Sequence, residues 1–214
     1  MRREMSGPMR LKLLVLPLFA LCAGAPAAQA CDGRAEVEAS FVKQQEQPWR
    51  TRIVSESDAG IAQEQIFDYQ PPNRMHRTVK VGDQTVETIG VNRWAWSADN
   101  GAWSEMEAPH ARVVAIHILN TFQPPKASID FKCLGEVSYE GKTYLGYQSP
   151  AETGENGAVL ARTIYVDPDT RLPAFNVVGA PDGSGVPVHR EEFTYPTDIN
   201  IIPPMGNRDL DAQP

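Results

Sequence analysis

Val86-Glu-Thr-Ile-Gly-Val-Asn-Arg-Trp-Ala-Trp-Ser-Ala-Asp-Asn-Gly-Ala-Trp-Ser-Glu-Met106 decides how this chain is read. It has the pattern of a strand, a tight turn and a second strand. Asp99-Asn100-Gly101 is the turn, because Asn and Gly accept positive φ at little cost. Trp94, Trp96 and Trp103 flank it. Trp94 and Trp96 are two apart, so on a strand they share a face. A face with two indoles must be covered by core, partner or ligand.

Outward from this hairpin, the chain reads mainly as strands. Trp49 to about Ser57, Gln63 to Tyr69 and Arg74 to Val81 precede it. Phe67 and Tyr69 fall on one face. Met75, Val79 and Val81 alternate with polar residues, and Arg77 takes an inward position in that count. After the hairpin come Ile129 to Tyr139, Gly141 to Gln148, Leu160 to Asp167, Leu172 to Val178, and Glu191 to the region of Ile202. Asp58-Ala59-Gly60, Glu140-Gly141-Lys142 and Asp167-Pro168-Asp169-Thr170 are turn sequences. Gly179 to Gly185 is glycine-rich, but Pro181 and the lack of a following helix make it a turn and not a phosphate loop.

Two segments read as helices. Residues 35 to 46 place Val37 and Phe41 one turn apart, with Asp32 as N-cap and Pro48 as stop, while Ala35, Val37, Ala39 and Phe41 also fit one face of a strand; the polar run Lys43 to Gln47 favours the helix. Pro109 to Phe122 puts Ala111, Val114, Ala115, Ile118, Leu119 and Phe122 on one apolar face. Strands at 8 to 12 residue spacing, with turn signals between them, imply an antiparallel barrel, half-barrel or sandwich. An apolar helix among strands is most economically placed over the open face of a curved sheet.

The N-terminus has the composition of a cleavable leader. Arg2, Arg3, Arg10 and Lys12 precede an apolar run from Leu13 to Ala23, too short to span a bilayer. Ala28-Gln29-Ala30 is a cleavage signal, so residues 1–30 are expected to be a signal peptide and the mature chain to begin at Cys31. No second apolar run of membrane length follows. The whole chain carries a formal net charge of −7, and the leader holds four of its 20 basic residues. The acidic mature chain argues against nucleic acid and against docking on anionic lipid. Its localisation is expected to be the periplasm, as a monomer, with a disordered tail at 205–214.

Cys22 leaves with the leader, so Cys31 and Cys133 remain as a pair in an oxidising compartment. A disulfide between them would close a loop of about 100 residues, worth up to roughly 4.7 kcal/mol by chain entropy. The alternative is lipidation of Cys31 as first mature residue, for which Ala28-Gln29-Ala30 is a poor lipobox.

Catalytic signals are weak. His76, His110, His117 and His189 have no metal-type spacing with Cys or with each other. His110 and His117 lie seven apart, on one side of a helix but roughly 10 Å from each other. There is no nucleophile elbow. Scattered carboxylates leave a small hydrolase as a third reading. No cofactor, metal or catalytic residue is implied.

The order of these features resembles the LolA/LolB-like superfamily of periplasmic lipoprotein carriers and their relatives, which include a lipid-sensing regulator of an anti-sigma factor. The resemblance covers about residues 35 to 204. It rests on Arg74-Met-His-Arg77 after a Pro-rich turn, the hairpin from Ile89-Gly-Val-Asn-Arg-Trp94 to Trp103, and Gly135 to Tyr147. It also rests on Ile164-Tyr-Val-Asp-Pro-Asp-Thr-Arg-Leu-Pro173 and Phe193-Thr-Tyr-Pro-Thr-Asp-Ile-Asn-Ile-Ile-Pro-Pro204. It implies a mainly β (α+β) fold over residues 31–204: a curved antiparallel sheet forming an unclosed barrel, with one or two helices on its concave face. It further implies an apolar cavity suited to acyl chains, and an inward Arg that locks a lid, for which Arg77 is the candidate. The Cys31 and Cys133 pair is not part of the carrier pattern.

The expectation is therefore a non-catalytic binding or carrier protein for a lipid-like or other apolar ligand. Trp94, Trp96, Val114, Ile118 and Leu119 are the expected lining. The alternative is an envelope protein-interaction or sensing module with a filled core, whose partner is another envelope protein.

Overall fold

In the computed structural model, residues 31–56, 62–99, 101–154 and 157–204 are described. The expected leader (1–30), the turn at 58–60, Asn100 and the tail at 205–214 lie outside the described residues. The described part opens with α1 (Gly33–Gln44), which runs into β1 (Trp49–Glu56). The Asp32 side chain accepts a hydrogen bond from the Ala35 amide at 3.1 Å, closing the first turn as the sequence expects. The strands β2 (Ala62–Gln70), β3 (Arg74–Val81), β4 (Gln84–Val91), β5 (Trp94–Asp99) and β6 (Ala102–Glu105) follow as a meander. Next come α2 (Ala108–Thr121), β7 (Lys132–Tyr139), β8 (Lys142–Gln148), the two-residue β9 (Glu152–Thr153), β10 (Val159–Val166), β11 (Pro173–Gly179) and β12 (His189–Thr194).

Every pairing is antiparallel, and the main sheet runs β6-β5-β4-β3-β2-β1-β12-β11-β10-β8-β7 with β9 beside β10. Its two ends, β6 and β7, do not pair with each other, so the sheet is unclosed. This is the mainly β half-barrel that the strand spacing and the resemblance imply.

Two boundaries differ from the sequence reading. The hairpin quoted above is three strands, because Val91 pairs with Trp94 across an additional turn at Asn92-Arg93. Asn92 takes φ +55, a left-handed conformation that Asn tolerates better than most residues. The last strand ends at Thr194. Residues 195–204 instead form an irregular strap, held where the Gln70 side-chain oxygen accepts from the Ile201 amide at 2.8 Å and Arg74 donates to the Ile201 carbonyl at 3.0 Å.

Register assigns the two faces. Tyr69 pairs with Met75 and Met75 with Gly90, and Gly90 lies directly beneath Val114 and Ile118 of α2. The inner face is therefore the one carrying Tyr69, Met75 and Gly90. Trp49, Tyr69, Met75, Ile118 and Phe193 form its central core, with Phe41 and Phe122 packed against them. Val37, Tyr147, Ile164 and Val166 form a second group beneath α1. Both helices cover this one face. Cys31 and Cys133 form a disulfide that ties the start of α1 to β7. No helix among the described residues is long and apolar enough to cross a membrane.

Candidate functional site

β2 and β3 supply the floor of the site. Phe67 and Tyr69 alternate inward on β2, opposite Arg77 and Met75 on β3. Thr88 of β4 lies across from Arg77. α2 passes above these strands. Gly90 permits this close approach: a Cβ there would sit 2.6 Å from Ile118 Cδ1 and from Val114 Cγ1. Between helix and sheet remains a cleft of about 460 Å³. Phe67, Met75, Arg77 and Thr88 line it from the sheet, Met106 from the approach to α2, and His110, Val113, Val114 and His117 from the helix.

The polar groups of this cleft form one connected set. His117 stacks over Phe67 with ring centroids 5.6 Å apart, and its Nε2 lies 2.9 Å from the Tyr69 hydroxyl. Burial, reinforced by the nearby positive charge of Arg77, holds His117 below the usual histidine range. Burial pushes the Tyr69 hydroxyl well above the ordinary phenol range. Arg77 places its guanidinium carbon 5.4 Å from the Phe67 ring centroid. Its Nη2 donates to Gln65 Oε1 at 2.9 Å, while its buried Nε has no hydrogen-bond partner.

Two other clefts are polar on different terms. One of about 490 Å³ lies beneath α1, lined by Val37, Phe41, Phe131, Ile164 and neighbours. There Glu38 accepts from the Ala127 amide and Arg162 donates to Asn176. The other, about 350 Å³, lies between the Ala180–Pro187 loop and the outer positions of β7, β8, β10 and β11. Its Gln148 amide donates to Thr163 and to the Pro181 carbonyl, and Asp182 accepts from Ser184. The aromatic core of Trp49, Tyr69, Phe122 and Phe193 occupies the middle of the inner face.

The structure divides the expected lining residues. Val114 lines the α2 cleft, and Ile118 lies beside it in the core at 3% exposure. Trp96 lies on the opposite face, which corrects the expectation, and Trp94 shares that side of β5 but borders a separate cleft of about 460 Å³ with Arg93, Ala111 and Arg112 at the start of α2. Trp96 pairs with Ile89 and Trp94 with Val91, one residue out of phase with inward Gly90. Both pack with Ile89, Val91 and Ile201 beneath the C-terminal strap. Leu119 is 61% exposed on the outer side of α2, away from this cleft. Arg77 does face inward and joins the site. The sequence reading passed over Phe67, Met75, Thr88, Met106, His110, Val113 and His117 as lining. The signal for the histidines was present, since the seven-residue spacing sets both on one side of α2. Among the described residues no group of three or more His, Cys, Asp or Glu is arranged to hold a metal ion.

No protein-family model matches the sequence, and no curated protein matches it. Among solved structures the chain is similar to a chain of the complex structure of Pseudomonas aeruginosa MucA/MucB. That match has 15% identity and a TM-score of 0.43, over 77% of this chain and 56% of that one. MucB in complex with MucA(peri) gives 15% identity and 0.39, over 86% and 59%. MucB alone gives 15% and 0.35, over 88% and 64%. This chain thus spans less than two thirds of those chains. Likeness at this level says nothing about what the chain binds.

Proposed function

We propose that this protein is a non-catalytic binding protein whose ligand is apolar and enters the cleft between α2 and the inner face of β2–β4. The observation that carries the reading is the cleft itself. Its volume falls within the roughly 300–1,000 Å³ usual for small-molecule sites. Phe67, Met75, Met106, Val113 and Val114 make most of its wall apolar, and Arg77 supplies one convergent polar group. Binding would draw on apolar burial at about 25 cal/mol per Å². The working compartment is proposed to be the periplasm: the leader composition supports it, and a structural disulfide suits an oxidising compartment. With Cys31 Sγ bonded to Cys133, the same sulfur has no thioether valence for a lipid.

The test is native mass spectrometry of the protein isolated from periplasm without detergent, followed by organic extraction. The expected result is a chain beginning at Cys31, two hydrogens lighter for its disulfide, carrying an extractable apolar molecule. A bare chain that also takes up no added amphiphile would overturn the ligand reading.

A second reading is an interaction module, whose partner is another envelope protein. It is favoured by one observation. Val113 at the rim of the cleft, with Ile116 and Leu119 on the solvent side of α2, forms an apolar stripe exposed by 67%, 47% and 61%. A monomer seldom leaves such a stripe bare without use. Crosslinking in cells from residue 116 would capture a specific protein under this reading, and nothing under the first.

A further inference from the structure

Buried cations in proteins are paired, and a buried donor without a partner calls for an explanation. Arg77 as a whole is half-buried, but its Nε is a buried donor that does not meet that expectation. Among the described residues Arg77 forms no ion pair, and its Nη2 donates to a neutral amide, Gln65. Its Nε is shut away from solvent without an acceptor. The carboxylates of Glu64 and Glu87 pair with Arg52, Lys80 and His76, and Glu191 accepts from Asn176 while its charge reaches the Tyr69 hydroxyl. No carboxylate among the described residues bonds the guanidinium, whose positive charge borders a mostly apolar cleft and is felt at His117.

We propose that the ligand of this cleft is a single-chain amphiphile ending in a carboxylate, whose tail lies along Met75, Val113 and Val114 and whose head is taken by Arg77. The inference rests on the apolar-ligand reading above and adds the head group. Nε and the second hydrogen of Nη2 form the guanidinium edge that accepts a carboxylate through two parallel N–H bonds. Bringing that edge to the carboxylate exchanges the neutral Gln65 contact for a charge-assisted pair. A phosphate fits less well, because it brings a second negative charge and the cleft lining holds no Lys or Arg besides Arg77. The clefts beneath α1 and beside the Ala180–Pro187 loop offer no such vacancy, since their polar groups bond one another, and in the cleft beside Trp94 the Arg93 guanidinium lies over the Trp94 ring.

The experiment is a fluorescence titration of the mature, disulfide-bonded chain with 11-(dansylamino)undecanoate and with its methyl ester, repeated on Arg77→Met. The wild-type chain should bind the carboxylate roughly ten- to a hundredfold more tightly than the ester, the range expected for one charge-assisted contact. Arg77→Met should lose that preference and bind the carboxylate no more tightly than the ester. Equal binding of both probes by the wild-type chain overturns the inference and leaves the apolar-ligand reading standing, and this comparison needs no variant to fold. A preference that survives in Arg77→Met overturns it as well. Failure of both probes to bind removes the apolar-ligand reading and the inference with it.

Discussion

The two helices cover the same face of one sheet and are held there by different means. α1 buries Gly33, Val37, Ser40 and Gln44, is capped by Asp32, and is tied to β7 through Cys31 and Cys133. Gly33 lies so close to the backbone of Phe131 that no side chain fits between them. α2 buries only Ala111 and Ile118 and has no side-chain cap bond at Glu107. Its contact with the sheet runs through Val114 and Ile118 onto Gly90 and through Ile118 and Phe122 into the aromatic core. A helix held by packing without a cap bond or a covalent tie can open more readily than one pinned by a disulfide. The contrast assigns roles: α1 is pinned covalently to one half of the sheet, and α2 is a cover held by packing over the cleft that contains Arg77.

The contrast can be broken most forcefully at the disulfide. Replacing Cys31 and Cys133 together by Ala should cost up to roughly 4.7 kcal/mol of unfolding free energy, because a loop of about 100 residues is released in the unfolded chain. Urea denaturation measures it. Uptake of the dansyl probe at low urea should survive, because the pair lies on the α1 side.

A smaller effect separates the two glycines. A Cβ at Gly33 would meet the Phe131 carbonyl oxygen at 2.2 Å, a backbone atom that cannot step aside. The gain in helix propensity from Gly33→Ala is at most about 1 kcal/mol. Overpacking of about 1–3 kcal/mol outweighs it, so the variant should be destabilised. At Gly90 the neighbours are the far ends of Ile118 and Val114. Gly90→Ala should therefore cost less stability than Gly33→Ala and act instead on probe affinity, by lifting α2. Equal losses of stability at both sites, with no change in binding, would remove the distinction.

The smallest expected effect is a dependence on pH. Burial and Arg77 lower the folded-state titration of His117 below the ordinary value of 6.5. The unfolded chain then takes up the proton first as pH falls. The stabilisation is complete above about pH 6.5 and is lost as pH drops through the lower folded value. The urea midpoint should therefore decline as pH falls below about 6.5, and His117→Phe should flatten that part of the profile. A steeper decline in the variant would contradict the assignment.

Much of the fold was legible because its local rules are explicit. Asp32 as cap, Pro109 at the start of α2 and the Gly-containing turns at 82, 101 and 141 all act over a few residues. Arg77 was legible as an inward residue because β3 alternates cleanly. What was not legible depends on partners distant in sequence. Alternation puts Trp94 and Trp96 on one face but cannot say which. Ile201, a hundred residues later, decides it by covering Trp96. The Asn92-Arg93 turn was hidden because Val91 and Trp94, its flanking residues, are both good strand formers. Leu119 was misplaced because α2 is apolar on two sides, so periodicity alone cannot choose between neighbours 118 and 119. Gly90, opposite Ile118, chooses.

The account stands or falls on whether the cover over Arg77 is where a ligand acts. Hydrogen exchange of the disulfide-bonded chain, with and without saturating 11-(dansylamino)undecanoate, asks this directly. The account predicts slower exchange in α2 and in β3–β4, with α1 unchanged because it is already held. Protection confined to α1 and β10–β11, or no change in α2, would contradict it.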